Sequence, residues 1–191
     1  MPCLFARARA GWRERFVALV DDYFAACVWE AGNRARGVVP PVEQYVEKRR
    51  DTGAVRTAIA NIEPCERIHL PDDVLAHPHV DALATACNDV VCWSNDIISL
   101  GKERAIGDVH NLVFVLERAR CPGELARATK LAAGMHDARV DDFIGLAATL
   151  PSFDPATDAA LSRFVETLRA WMRGNLDWAH ESGRYVVAAA S

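Results

Sequence analysis

Apolar residues recur every three to four positions along most of this chain, with polar residues between them. The clearest run covers residues 16–27, where apolar side chains follow the spacing of one helical face. There is no sustained two-residue alternation of the kind that typifies half-buried strands, and no Asn-Gly or Asp-Gly pair of the kind that favours hairpin turns. The pattern therefore predicts an all-α protein.

Glycine and proline residues fall between the helical runs and set their predicted limits. Pro41 opens the second helix, which breaks near Thr52 and Gly53. Asp108 is the predicted N-cap of the helix after the longest one. The predicted helices cover residues 10–34, 41–52, 54–63, 79–102, 108–118, 124–150 and 157–182, with a short helix starting at residues 71–73. Because no linker or repeat interrupts them, we expect residues 1–191 to form a single domain.

Composition excludes several classes of protein. The chain has 191 residues, 51% hydrophobic and 25% charged, as in ordinary soluble domains. Its net charge of −4 provides no general attraction for nucleic acid, and it has neither a signal-peptide core nor the roughly 20 apolar residues of a membrane span. Six cysteines without a Cys-x-x-Cys pair indicate reduced thiols. We therefore expect a cytoplasmic protein that binds neither nucleic acid nor membranes.

Three oxygen-bearing side chains lie at helical spacing near the end of the longest predicted helix. Asn95, Ser99 and Glu103 are separated by steps of four residues, and each step turns a helix by about 400°, so the three project along one face. Magnesium prefers such oxygen ligands and often keeps substrate phosphate oxygens in its shell. The same triplet is also typical of a polar helix face beside a loop, so its neighbours decide between the two interpretations.

The residues around this triplet match a known motif. Residues 88–116 resemble the second metal-binding motif of bacterial class I terpene synthases, whose pattern is Asn-Asp-x-x-Ser-x-x-x-Glu, usually with Lys before the Glu. Asn95, Asp96, Ser99, Lys102 and Glu103 fill every position. The resemblance implies that Asn95, Ser99 and Glu103 chelate Mg²⁺ and that Lys102 contacts a diphosphate.

Two flanking segments extend the resemblance from about residue 12 to residue 185. The upstream stretch Arg-Arg-x-Thr-Gly resembles the family's diphosphate-sensing segment, which implies that Arg49 senses diphosphate and that the Gly53 carbonyl helps to trigger ionisation. The last helix and the pair Arg184-Tyr185 resemble the family's C-terminal diphosphate-binding end. Trp178 would then line the hydrocarbon pocket and stabilise a carbocation. From the residues alone, a surface arginine and a core tryptophan are the competing interpretations of Arg49 and Trp178.

The resemblance implies the C-terminal part of the class I terpenoid synthase α-helical bundle. The implied activity is Mg²⁺-dependent ionisation and cyclisation of a prenyl diphosphate, either farnesyl or geranyl diphosphate, with release of diphosphate. Such an enzyme is a carbon–oxygen lyase acting on phosphates. His110 lies within the family-like stretch but receives no catalytic role.

The family's first, aspartate-rich metal motif is missing from this sequence. The acidic pairs at positions 21–22, 72–73 and 141–142 lack its pattern and fit a helix start or a solvated face better. We therefore expect a chain truncated at its N-terminus, with an exposed apolar groove and little cyclase activity alone. The alternatives are an inactive fragment, a diphosphate-binding module that needs an N-terminal partner chain, and a homodimer.

Overall fold

In the computed structural model, which describes residues 10–185, every regular element is helical. The all-α prediction is therefore confirmed over this range. The elements are α1 (Ala10–Arg36), α2 (Val42–Thr52), α3 (Val55–Ala60), α4 (Ile62–Glu66), α5 (Asp72–Leu75), α6 (Pro78–Ala105), α7 (Leu112–Arg120), α8 (Leu125–Ala148), α9 (Pro155–Glu181) and a 3₁₀ turn at Gly183–Tyr185.

Most predicted helix limits lie within a few residues of the observed ones. The segment predicted to end at Pro64 is instead two short helices, α3 and α4, which meet at Asn61. Helix α4 continues past Pro64 to Glu66. Proline is tolerated there because it occupies the first turn of α4, where its missing N–H has no intrahelical partner to lose.

The predicted N-cap at Asp108 is wrong. Helix α7 begins only at Leu112, and its cap is Asn111, whose side chain accepts a hydrogen bond from the N–H of Val113. Asp108 instead forms an ion pair with Arg34 of α1. Both residues are good caps by type, but the Asp108 carboxylate accepts from Arg34 and from the N–H groups of Val109 and His110 instead.

Helix α6 packs against most of the other helices and contributes much of the hydrophobic core. Leu83 and Cys87 on this helix are completely buried, and the core extends as one cluster from Tyr45 of α2 to Leu168 of α9. Cys3 lies outside the described residues. The other five cysteines are free, as predicted.

Helix α1 exposes an apolar stripe on one face. Val17, Phe24 and Val28 are 53%, 60% and 73% exposed, and their spacing of seven and four residues places them along the same side of the helix. No described helix has both the length and the apolar composition needed to cross a bilayer. The stripe is therefore a surface that the described part of the chain leaves uncovered.

Candidate active site

The three proposed metal ligands lie on one face of α6, as their spacing predicts. Ser99 is 2% exposed, whereas Asn95 and Glu103 are half-buried. The Ser99 hydroxyl donates to Oε1 of Glu103 at 2.7 Å. Two of the three oxygen groups therefore already meet at one point of the helix surface.

The donor atoms of this triplet suit a hard divalent cation. The described residues contain no group of three His, Cys, Asp or Glu side chains that could hold a metal, so any ion here depends on the mixed set of amide, hydroxyl and carboxylate oxygens. Mg²⁺ accepts such a set because it retains waters and substrate oxygens. Burial raises the pKa of Glu103, and hydrogen bonds from Asn111 and Ser99 oppose that shift by favouring the carboxylate.

Arg49, at the C-terminal end of α2, reaches the same triplet. Its Nη2 donates to Oδ1 of Asn95 at 3.1 Å, and its Nε and Nη2 donate to Oδ1 of Asp96 at 3.0 and 2.8 Å. The side chain is only 15% exposed. Burial disfavours the charged guanidinium, but the neighbouring Asp96 outweighs this effect and raises the pKa of Arg49. Arg49 is therefore a fixed positive charge beside Asn95.

Asp96 connects several parts of the site, although the motif alone predicts no role for it. It is 1% exposed. In addition to Arg49, its Oδ2 accepts from the Tyr45 hydroxyl at 2.7 Å and from the Leu112 N–H at 3.1 Å. Burial and the Asp96 charge raise the pKa of Tyr45. This carboxylate thus joins α2, α6 and the start of α7.

Gly53 ends α2 where the chain passes closest to α6. Its N–H donates to the backbone oxygen of Arg49 at 3.0 Å, and an added Cβ would collide with Sγ of Cys92. The next residue, Ala54, has a φ of +55°, a left-handed conformation that non-glycine residues seldom adopt. A side chain at position 53 is therefore disfavoured by close approach to Cys92, and the helix break lies four residues after Arg49.

The C-terminal turn brings another predicted residue to the triplet. Asn95 donates through Nδ2 to the Tyr185 hydroxyl at 2.6 Å. The Arg184 guanidinium lies over the Trp178 ring, 5.6 Å from its centroid, and Trp178 is 46% exposed. Lys102 is half-buried, and its side chain has no ion pair or hydrogen bond with the described residues. Asn95 and Tyr185, 90 positions apart, therefore meet. Two basic residues, Lys102 and Arg184, lie close to them in the sequence.

A second buried carboxylate anchors α2 beside the site, and sequence reasoning missed it. Asp89 is completely buried and binds Arg50 through two hydrogen bonds of 2.8 and 2.9 Å. It also pairs with Arg139 of α8 at 3.0 Å. An acidic residue inside an otherwise apolar stretch of α6 was the available signal, because a buried charge requires a partner.

His110 belongs to a buried polar cluster between α1 and the loop after α6. Its side chain is 2% exposed, its ring packs edge-on against Trp29 with 5.1 Å between centroids, and its Nδ1 lies 4.0 Å from Oε1 of Glu30. Burial lowers the pKa of His110 to about 4, and the charge of Arg34 acts in the same direction. His110 is therefore a neutral buried histidine.

A family model described as "Terpene synthase family 2, C-terminal metal binding" matches residues 3–142. The chain belongs to the terpene synthase family. This match includes the whole triplet on α6, and the structural neighbours place the terpene synthase fold over nearly all of the chain.

Three relatives illustrate how far the similarity extends. Germacrene A synthase of Nostoc punctiforme is 37% identical over 179 residues, which are 94% of this chain and 55% of that protein. The (+)-T-muurolol synthase of Roseiflexus castenholzii is 38% identical over 184 residues, 96% of this chain and 56% of that protein. The crystal structure of a-eudesmol synthase superposes with a TM-score of 0.85 at 28% identity, covering 94% of this chain and 59% of the other. The chain thus spans about half the length of the relatives it matches.

Proposed function

We propose that this chain carries the C-terminal metal- and diphosphate-binding part of a class I terpene synthase, which ionises and cyclises a prenyl diphosphate. One observation carries the proposal. Asn95 contacts Arg49 from α2 and Tyr185 from the C-terminal turn, so a cationic group and a hydroxyl converge on the first member of an oxygen triplet.

Asn95, Ser99 and Glu103 are the proposed ligands of Mg²⁺. Their oxygens fit this ion, and the Ser99–Glu103 contact already brings two of them together. When bound, the ion supplies positive charge that favours departure of the diphosphate.

Four side chains are the proposed diphosphate ligands. Arg49 retains its Nη1 group for this purpose, since only its Nε and Nη2 donate to described residues. Lys102 and Arg184 add positive charge, and Tyr185 adds a hydroxyl. Donors aimed at the leaving group stabilise the negative charge that grows there during ionisation.

Gly53 and Trp178 are the proposed catalytic residues on the hydrocarbon side. Gly53 ends α2 four residues after Arg49, so a change at Arg49 on binding diphosphate would reach its carbonyl through one helical turn. The Trp178 face already holds a cation, the Arg184 guanidinium. The same face suits a substrate carbocation, because the electron-rich ring attracts positive charge.

Farnesyl diphosphate is the substrate that we propose first, with geranyl diphosphate second. Support comes from the T-muurolol synthase of Roseiflexus castenholzii, which is described as cyclising farnesyl diphosphate.

Cyclisation also needs a pocket that excludes water. The exposed stripe of Val17, Phe24 and Val28 leaves an apolar surface on α1 open in the described residues.

A second candidate function follows from that exposed stripe on α1. In this alternative the chain is a diphosphate-binding module that gains activity only with an N-terminal partner chain or a second copy. Exposed apolar surface of this kind favours association. We expect weak or no cyclase activity from the chain alone.

Two measurements on the purified chain test these proposals. Calorimetry with Mg²⁺ and inorganic diphosphate should give binding that Glu103→Gln strongly weakens and that Glu166→Gln, on the exposed side of α9, leaves intact. Unchanged binding in Glu103→Gln would contradict the metal site. Incubation with farnesyl or geranyl diphosphate and Mg²⁺, followed by gas chromatography, separates the two functions, because abundant cyclic product would exclude the partner-dependent module.

A further inference from the structure

The loop after α6 folds back and places Asn111 against the metal triplet. Asn111 is completely buried. Its Oδ1 accepts from the Val113 N–H at 2.8 Å and so caps α7. Its Nδ2 donates to the backbone oxygen of Asp96 and to Oε2 of Glu103, both at 2.7 Å. One amide therefore connects the start of α7 to a proposed metal ligand.

The two carboxylate oxygens of Glu103 have different partners. Oε1 accepts from Ser99 at 2.7 Å, whereas Oε2 accepts from Asn111. Ser99 lies between Asn95 and Glu103 along the helix face. Holding Oε2 through Asn111 therefore leaves Oε1 on the side of the other two ligands.

A neutral donor is the side chain that suits this position. A lysine or arginine would bring a positive charge next to the cation and repel it. An ionised aspartate would only accept hydrogen bonds and would repel Glu103, and a serine would cap α7 but is too short to reach the carboxylate. Asparagine caps the helix and donates without adding charge.

The loop is held from outside the triplet. Arg34 of α1 donates to both carboxylate oxygens of Asp108, at 3.0 and 2.9 Å. Gly107, with a φ of +70°, lets the chain reverse so that the Asp108 N–H reaches the backbone oxygen of Glu103 at 3.0 Å. The position of Asn111 is therefore fixed without any metal ion.

We propose that Asn111 is a positioning residue that acts through Glu103 and presents its Oε1 to the divalent cation held with Asn95 and Ser99. This inference rests on the proposed metal site. Hydrogen-bond partners that orient metal ligands typically contribute about 10–100-fold to metal affinity, so removing the Asn111 donor should have a measurable effect.

The test is a titration with Mn²⁺ in the presence of inorganic diphosphate, in which electron paramagnetic resonance measures the bound Mn²⁺. Asn111→Ser should weaken binding about tenfold or more in the otherwise unchanged protein. In a Glu103→Ala background the same substitution should change the Mn²⁺ affinity by less than about twofold, because a residue that acts through Glu103 then has no carboxylate to orient. The spectrum of the bound Mn²⁺ should also change in Asn111→Ser.

A matched control separates this role from helix capping. Asp154 caps α9 near the opposite end of α6, where Phe153 packs on His77, so Asp154→Ala should keep wild-type Mn²⁺ affinity. If Asn111→Ser does not fold, Asn111→Thr retains a capping oxygen and a similar volume without adding charge, and the same loss is expected. The inference is overturned if the Asn111 variant binds Mn²⁺ with wild-type affinity. It is also overturned if the Asn111 substitution lowers the Mn²⁺ affinity equally with and without Glu103. Wild-type affinity in Glu103→Ala would instead overturn the metal site itself.

Discussion

Arg49 donates to Oδ1 of Asp96 through both Nε and Nη2, at 3.0 and 2.8 Å. Asp96 also accepts from the Tyr45 hydroxyl, so one buried carboxylate restrains both polar side chains of α2 that face this part of α6. Under the proposed function, the guanidinium is thereby oriented before diphosphate binds, which reduces the conformational entropy that binding would otherwise lose.

Breaking this pair should destabilise the fold. Asp96→Ala leaves the Arg49 charge buried without its charged partner, and we expect a loss of about 3–5 kcal/mol in the free energy of unfolding, measured by urea denaturation. Glu166→Ala is the matched control, because its pair with Arg169 is exposed, and it should cost less than about 1 kcal/mol. Losses of equal size in the two variants would contradict the prediction.

The close approach at Gly53 predicts opposite effects of two glycine-to-alanine changes. Gly53→Ala pushes a Cβ against Cys92 Sγ and to 3.1 Å from the Arg49 backbone oxygen, so the unfolding free energy should fall by about 1–3 kcal/mol. Gly174→Ala meets nothing within 4 Å inside α9 and should stabilise by about 0.5–1 kcal/mol. Adding Cys92→Ala should recover part of the Gly53→Ala loss, and no recovery would exclude the contact as its cause.

The buried His110 predicts a pH-dependent stability. Its pKa is about 4 in the folded protein, against an ordinary value of 6.5 that applies when unfolded. Below pH 6.5 the unfolded chain takes up the proton first, so stability is fully present above that pH and is lost as the pH falls toward 4, by up to about 3 kcal/mol. His110→Gln should flatten this slope in urea denaturation between pH 7 and 4, chosen to span both pKa values.

The neighbours of His110 titrate as well, so the difference between two proteins is the informative quantity. Burial raises the pKa of Glu30. Burial also acts to raise the pKa of Asp108, but Arg34 and the backbone N–H groups of His110 and Val109 together outweigh it and lower that pKa. His180→Gln, at an exposed position of α9, serves as the control and should keep the wild-type slope. Parallel profiles for wild type and His110→Gln would show that the imidazole makes no contribution.

Removing the Tyr185 hydroxyl should lower the affinity for diphosphate. Tyr185→Phe removes the acceptor for Asn95 Nδ2 and, under the proposed function, one donor to diphosphate. Since hydrogen bonds to charged groups contribute about 1.5–3 kcal/mol, calorimetry with Mg²⁺ and inorganic diphosphate should show affinity reduced about tenfold or more. Tyr23→Phe on α1 is the matched control, and a similar reduction there would exclude a specific role for Tyr185.

The helices were predictable because the pattern of apolar residues that specifies each helix lies within the helix itself. The 3.6-residue period identified each long helix, and the spacing of Asn95, Ser99 and Glu103 predicted their shared face. The capping error at Asp108 shows where local information ends. Asp108 and Asn111 are three residues apart and both suit an N-cap by type, and the contact between Asp108 and Arg34, 74 residues away, could not be inferred from the local pattern.

The supporting residues of the site were less predictable for the same reason. Asp96 and Asn111 matter through partners elsewhere in the chain, namely Tyr45 and Arg49 for Asp96 and the carboxylate of Glu103 for Asn111. A sequence pattern indicates which residues share a helix face, but not which atom of a distant side chain meets them. Asp89 is an intermediate case, since its burial was predictable but its two arginine partners were not.

The hydrogen bond between Asn95 and Tyr185 joins α6 to a short C-terminal segment that lies outside every long helix. A chain shortened to end at Ser182 would keep every long helix, yet it would lose both Arg184 and Tyr185. Under the proposed function, the last described residues can therefore be changed to alter diphosphate binding while the long helices stay intact.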